Sequence, residues 1–173
     1  MIVAETSRLI LRYFIPDDID ALFAILSDPE VMRYSVSGVK TRSQTADFLD
    51  LVIDYYRQYN YSLYAVIFKE TNQLIGFCGL LPWKLEHRSE IEIGYRLAKE
   101  YWGKGLATEA AIATRDYGWS KLNMDKLYCL IEPKNKRSIR VAEKLGMKYE
   151  KNIFFHNLDV KIYSVSRESY FKG

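Results

Sequence analysis

Cysteine and histidine are scarce in this chain, with two of each among 173 residues. Cys78 and Cys129 lie in apolar, strand-like runs without CxxC spacing, which excludes a disulfide framework and predicts buried, reduced thiols in a cytoplasmic protein. His87 and His156 are too isolated to build a metal site. No apolar run approaches the ~18–20 residues that a membrane helix needs. Met1–Glu5 runs straight into a strand-like segment, without a signal pattern. An excess of one charge is missing too: 25 basic residues against 22 acidic ones leave +3, too little to argue for nucleic acid. Repeats, low-complexity segments and linkers are absent, so residues 1–173 are expected to form one domain, large enough to bury a real core.

The basic residues are placed unevenly. Pro133–Lys151 holds Lys134, Lys136, Arg137, Arg140, Lys144, Lys148 and Lys151 against Glu143 and Glu150, a local +5. Two readings stay open, a solvated helix face and an anion-facing rim.

In chain order, Arg8–Phe14 alternates as a strand, and Pro16-Asp17-Asp18 opens a helix through about Ser27 that Pro29 stops. Thr41 and Gln44 have capping-box spacing, and Phe48, Leu51, Val52, Tyr55 and Tyr59 follow as a helical core stripe. Ser62–Lys69 and Gln73–Leu81 form an antiparallel hairpin around Glu70-Thr71-Asn72. Ser89–Leu97 is the next strand, with Gly94 inside it marking a bulge or a close backbone approach. A helix spans about Lys104–Ser120, with Leu106, Ala110, Ala113 and Tyr117 on one face. Lys126–Glu132 is a strand ended by Pro133, Asn135 caps a helix that Gly146 terminates, and Met147–Phe155 and Asp159–Ser166 close as a hairpin around His156-Asn157. Early antiparallel strands with a β-α-β crossover in the middle describe an α+β layered domain.

The stretch Glu90–Ala110 passes from a strand through Trp102-Gly103-Lys104-Gly105 directly into a helix. The first turn of a helix carries N–H groups without intrahelical partners at the positive end of its dipole. Glycine lets a phosphate come close to such a backbone. Three nucleotide-type motifs compete for this turn. A P-loop requires GxxxxGK[ST], which does not occur. A dinucleotide fingerprint requires a third small residue where Thr108 stands, and repeated β-α-β units that are missing. The third motif is a coenzyme A turn.

The wider sequence resembles the GNAT N-acetyltransferase superfamily, in its branch of ribosomal-protein-alanine N-acetyltransferases and relatives. The resemblance runs through Thr6-Ser7-Arg8-Leu9-Ile10-Leu11-Arg12, Ile75-Gly76, Glu92-Ile93-Gly94-Tyr95, Trp102–Ala110, Asn135-Lys136-Arg137-Ser138 and Glu143-Lys144-Leu145-Gly146-Met147. It implies a GNAT-like (acyl-CoA N-acyltransferase) fold, with a mixed, mostly antiparallel central sheet of about seven strands flanked by about four helices. It also implies acetyl-CoA as cosubstrate, without a metal. The superfamily's phosphate turn, Gln/Arg-x-x-Gly-x-Gly/Ala, falls on Trp102–Ala107, where Trp102 departs from Gln/Arg. Backbone amides from Gly103 through Lys104, Gly105, Leu106, Ala107 and Thr108 would hold the pyrophosphate. Tyr95, Arg96 and Leu97 would pair with the pantetheine arm, Asn135 would bond it, and a bulge at Gly94 would splay this strand from Lys126–Glu132.

The implied chemistry is attack of a neutral amine on a thioester. An α-amine with a pKa near ~8 is roughly a tenth neutral at pH 7, whereas a lysine amine near ~10.4 is almost wholly charged. An α-amine therefore needs only a modest general base. Glu92 is the first candidate and Glu90, on the same strand face, the second; alternating glutamates on an exposed strand face are also ordinary solvated residues. The N–H near Leu97 would meet the oxyanion. Many superfamily members carry a tyrosine acid four residues before the last helix's glycine, where this chain has Ala142, which leaves Ser138 as the substitute. No cysteine lies in the turn, which disfavours an acetyl-enzyme. The expected acceptor is a protein or peptide N-terminal amine, with a small-molecule amine (polyamine, amino acid or antibiotic) as the alternative and Met32, Tyr34 and Trp83 near its pocket. A non-catalytic acyl-CoA-binding sensor is the rival from another class. Specific nucleic acid and membrane partners are not expected, and the assembly is a monomer or homodimer.

Overall fold

The strand-and-helix periodicities resolve into one continuous eight-stranded sheet in the order β1-β2-β3-β4-β5-β6-β8-β7. In the computed structural model, which describes residues 1–85 and 87–173, the strands are β1 (Ile2–Glu5), β2 (Leu9–Arg12), β3 (Leu63–Phe68), β4 (Gln73–Leu85), β5 (Arg88–Leu97), β6 (Lys126–Ile131), β7 (Lys148–Phe155) and β8 (Leu158–Ser166). The helices are α1 (Ile19–Leu26), α2 (Arg42–Tyr59), α3 (Leu106–Ser120), α4 (Lys136–Lys144) and α5 (Arg167–Lys172). Every neighbouring pair of strands is antiparallel except β5 and β6, which run parallel across the α3 crossover. The expected α+β GNAT-like architecture is therefore present. The two additional elements are β1, which pairs with β2, and α5, which packs back on β8.

Alternation along β3 divides the core. Leu63, Ala65 and Ile67 point to the layer that holds Leu22, Leu26, Leu49 and Val52 of α1 and α2. Tyr64 and Val66 point to the opposite layer, with Leu106, Ala110 and Ala111 of α3 and Ala142 and Leu145 at the end of α4. Burying such aliphatic side chains contributes about 1.5–3 kcal/mol each, so both faces of the central strands stabilise the sheet. The capping box at α2 forms as expected: Gln44 N–H donates to Thr41 Oγ1 at 3.1 Å and Thr41 N–H to Gln44 Oε1 at 2.9 Å.

Three expectations are corrected. The buried face of α2 is Thr45, Leu49 and Val52, whereas Leu51 and Tyr59 are exposed. Val52 of the expected stripe is buried and Phe48 packs against the same core. The buried face of α3 extends to Ala111, Thr114, Arg115 and Gly118, while Tyr117 packs half-buried against Tyr64 as expected and Ala113 is only half-buried. Gly94 forms no bulge toward β4: the ladder runs without a register shift through Gly79↔Gly94. Nor is there a close approach, since a Cβ at Gly94 would meet only ordinary contacts at 3.6 Å and beyond. Among the described residues, no helix is long and apolar enough to cross a membrane.

Candidate active site

The one parallel joint in the sheet is also its weakest. β5 and β6 share a single register pair, Glu92↔Tyr128. Beyond it Leu130 N–H donates to the side chain of Glu92, to Oε2 at 3.0 Å, and not to the backbone of β5. Ile93 C=O accepts from Cys129 Sγ at 3.4 Å. A carboxylate and a thiol thus stand where the next ladder bonds would be, and the two strands part. Ala98 N–H bonds Ile75 C=O at 2.8 Å. By the period-two alternation of an antiparallel ladder, Arg96 then turns its backbone N–H toward β4, while Tyr95 and Leu97 turn theirs into the opening. The splaying expected from Gly94 therefore exists, but the side chain of Glu92 marks where it starts.

Glu92, Arg96 and Glu90 share one face of β5 by alternation. Glu92 is partly buried and accepts Trp83 Nε1–H at 2.9 Å on its other oxygen. Burial pushes its carboxyl up to about 7, against the lowering effect of the bonds from Leu130 and Trp83 and the nearby Arg96 charge. Arg96 donates from Nη1 to Val31 C=O at 2.9 Å, tying β5 to the segment after α1. Glu90 pairs with Arg88 Nε at 3.4 Å and interacts with Tyr128 of β6.

The other face carries Tyr95 and Leu97. Tyr95 Oη donates to Ser138 C=O at 2.9 Å, so β5 is latched to the first turn of α4. Leu97 C=O accepts Trp102 Nε1–H at 2.9 Å. Asn135 is the expected N-cap, its Oδ1 accepting Ser138 N–H at 3.3 Å. Ser138 is partly buried beside it. Ala142 is wholly buried in the core, so no polar group is presented at that position.

The glycine turn is built on two left-handed residues, Gly103 at φ +74° and Gly105 at φ +76°, a conformation that costs other residues strain. Gly105 is the N-cap, and α3 starts at Leu106, two residues later than expected. Its first intrahelical bond is Glu109 N–H to Gly105 C=O at 3.1 Å, so the N–H groups of Leu106, Ala107 and Thr108 precede the ladder and point outward. Sequence reasoning missed the brace beneath this turn. Glu109 accepts Thr6 Oγ1 at 2.6 Å, Arg8 N–H at 3.1 Å and Arg8 Nε at 2.7 Å. Arg8 Nη1 also donates to Lys104 C=O at 2.9 Å. Burial tends to raise the Glu109 carboxyl, but the bonds from Thr6 and Arg8 outweigh it and hold it below its ordinary value.

Arg137 lies 4.5 Å above the Trp102 ring, reaching from α4 to the turn. The other basic side chains of the stretch are exposed, which both readings of the local +5 allow. Of the expected acceptor residues, Met32 is buried in the α1–α2 core and is corrected to a packing role. Tyr34 Oη donates to Lys134 C=O at 3.3 Å, and Trp83 is the donor to Glu92. Cys78 and Cys129 are free and buried. Burial pushes Cys78 up to about 12 and Cys129 well above its usual value. No group of three metal-ligating side chains occurs among the described residues.

A splayed strand pair, outward N–H groups at a helix start and two glycines with no side chain in the way fit a long thioester cosubstrate with an anionic end. A family model described as an acetyltransferase (GNAT) domain matches residues 8–148. The chain is 40% identical over 166 residues, covering 95% of each, to the uncharacterized protein YkkB of Bacillus subtilis (strain 168). A stretch of 66 residues, 38% of this chain and 34% of the relative, is 41% identical to spermidine N(1)-acetyltransferase of Escherichia coli (strain K12). Among solved structures, an acetyltransferase (GNAT family) from Bacillus anthracis superposes with a TM-score of 0.82 at 30% identity, covering 97% of this chain and 99% of that one.

Proposed function

The chain belongs to the GNAT acetyltransferase family, and from that premise we propose that it acetylates a primary amine with acetyl-CoA by direct transfer, with Glu92 as general base. The observation that carries this reading is the position of Glu92. It stands at the point where β5 and β6 part, held by two N–H donors, with a carboxyl raised by burial to about 7. A base is most effective when it titrates near the working pH, and about 7 lies close to the ~8 of an α-amine.

The amides from Gly103 to Thr108 are assigned to the pyrophosphate, the opening beside Tyr95, Arg96 and Leu97 to the pantetheine arm, and Asn135 to that arm as well as to its capping bond. Acetyl-CoA supplies the activated acyl group. Glu92 accepts the proton of the amine, with Glu90 as the weaker alternative. Leu97 N–H faces the opening, which suits it to take up negative charge on the thioester oxygen. Ser138 is the proposed proton source for the departing thiol, since Ala142 offers none. The two thiols, buried and held protonated, support direct attack over an acetyl-enzyme.

For the acceptor we favour a protein or peptide N-terminal amine, because the weak base suits an α-amine. A polyamine is the second reading, favoured by the stretch shared with a spermidine acetyltransferase and by two carboxylates on one strand face. The first experiment is thermal unfolding with acetyl-CoA, coenzyme A, NAD and ATP added separately. A ligand at 100 times its dissociation constant stabilises by about 2.7 kcal/mol, which is roughly 5–10 °C for a domain of this size. A shift with the two coenzyme A ligands alone is expected. A shift with NAD or ATP and none with acetyl-CoA refutes the cosubstrate assignment. Thiol release on titrating peptides and polyamines then separates the two acceptor classes.

A further inference from the structure

Glu92 has two oxygens, and each is held by an N–H of different origin. Leu130 N–H belongs to β6, whose position is set by its ladder with β8. The other donor is a side chain, Trp83 on β4, which sits opposite Glu90 in the β4–β5 ladder. An indole has one N–H and no acceptor, so it can orient the carboxylate but cannot take its proton. The ring is itself wedged. Phe155 meets it edge-on at 5.1 Å and His156 at 5.8 Å, and those two rings are 4.3 Å apart. Both belong to the tip of the β7–β8 hairpin, where His156 and Asn157 take positive φ values of 48° and 63°. A histidine in that conformation is uncommon, and here its ring lies against the indole that serves Glu92.

We propose that Trp83 is the positioning residue of Glu92, and that the tip of the β7–β8 hairpin, through Phe155 and His156, holds the indole in place. The last hairpin thereby becomes part of the active site without touching the base. The inference rests on the reading of Glu92 as general base. It assigns Trp83 to orientation of the base and not only to the wall of an acceptor pocket. The titratable or charged groups coupled to the carboxylate are Arg96 and Tyr95 on its own strand and Cys129 on β6; Glu90 on the same strand face, Tyr128 as the β6 ladder partner of Glu92, and His156 behind the indole lie nearby. They are the same in each variant below, so a difference between variants reports on the indole and its support.

Trp83→Phe keeps an aromatic ring and removes the donor. Carbon-13 NMR of carboxyl-labelled glutamate, with Glu92 assigned through Glu92→Gln, reads the titration directly. Loss of a donor to the charged form raises a carboxyl, and we expect the Glu92 midpoint to move up by about one pH unit. The acid limb of kcat/KM should move with it, a loss of about tenfold at pH 6 that closes to within about twofold at pH 9. The acetyl-CoA dissociation constant should stay unchanged, which also shows that the variant folds. Phe155→Leu, which frees the indole without removing its N–H, should move the midpoint in the same direction by less. A Glu92 midpoint unmoved in Trp83→Phe overturns the proposal, and one unmoved in Phe155→Leu removes the hairpin from it. Full turnover by Glu92→Gln refutes instead the reading of Glu92 as base, while the titration still decides whether Trp83 holds the carboxylate.

Discussion

Replacing Glu92 by glutamine has a consequence for stability that is independent of any substrate. Burial lifts the Glu92 carboxyl from 4.5 to about 7 in the folded protein, whereas the unfolded chain keeps the ordinary value. Between those two pH values the native state binds the proton and the unfolded state does not, so the wild type loses stability as pH rises through this window. A rise of about two and a half units is about 3 kcal/mol at ~1.4 kcal/mol per unit. Because the side chain is only partly buried, solvent lowers the figure to about 2–3 kcal/mol. Glutamine does not titrate. It carries a cost of its own, since Trp83 and Leu130 both donate and an amide has one acceptor oxygen, so one donor faces an NH2 group at about 1–3 kcal/mol. That cost does not depend on pH. The variant should therefore be the less stable protein near pH 4.5 and gain on the wild type steadily up to about pH 7.5. At roughly 2–4 °C per kcal/mol, the difference in Tm should change by about 4–12 °C across the window. Thermal unfolding of both proteins at half-unit steps is the assay, and groups common to both cancel in the difference. Parallel Tm curves would falsify the claim that Glu92 is raised by burial and, with it, the main argument for its role as a base.

A Cβ at Gly76 would lie 2.1 Å from Arg96 C=O and 2.8 Å from Leu97 Cα. Gly76→Ala should therefore cost about 3 kcal/mol or more through a shifted β4–β5 ladder, measured by urea unfolding, and a fully stable variant would contradict that geometry. Arg8→Ala removes the brace under the glycine turn. Arg8 is 43% exposed, so the loss should be below about 1 kcal/mol. The bonded carboxyl of Glu109 is held low, so this loss should be present at neutral pH and fade as pH falls below the ordinary carboxylate range; a loss equal at pH 7 and pH 3 would count against it. Ending the chain after Ser166 deletes α5 and uncovers Arg115, over which Tyr170 stacks at 4.3 Å, together with Trp119. Chemical unfolding should show a loss of about 2–4 kcal/mol, and an unchanged midpoint would show that α5 does not close the core. Thr41→Ala should cost about 1 kcal/mol through the lost cap of α2, with acetyl-CoA binding unaffected, as titration calorimetry can show.

Features decided by a few neighbouring residues were legible without a structure. The cap at Thr41 and Gln44, the cap at Asn135, the two hairpin turns and the glycine turn at Trp102–Gly105 each follow from dihedral preferences or from bonds that span three residues. The α+β class and the crossover between β5 and β6 follow from the order of such elements. The glycine turn and Glu92 could likewise be singled out by residue type and by resemblance to a family.

The arrangement around Glu92 could not be read this way. That its oxygens meet Trp83 of β4 and Leu130 of β6 depends on the registers of two ladders, and a slip of one residue would turn the carboxylate to the other face. The brace from Arg8 to Glu109 joins residues 101 positions apart, with no periodicity to announce it. The buried faces of α2 and α3 were legible only in part, because a hydrophobic stripe states that some face is covered while tertiary neighbours decide its extent. Gly94 was given the task of parting β5 from β6, yet a side chain two residues earlier occupies the place of the missing ladder bond. Local conformation is a property of adjacent residues and was determined by the sequence alone. The ionisation and orientation of the candidate base arise from desolvation and hydrogen bonds between distant segments, and those exist only once the chain has folded.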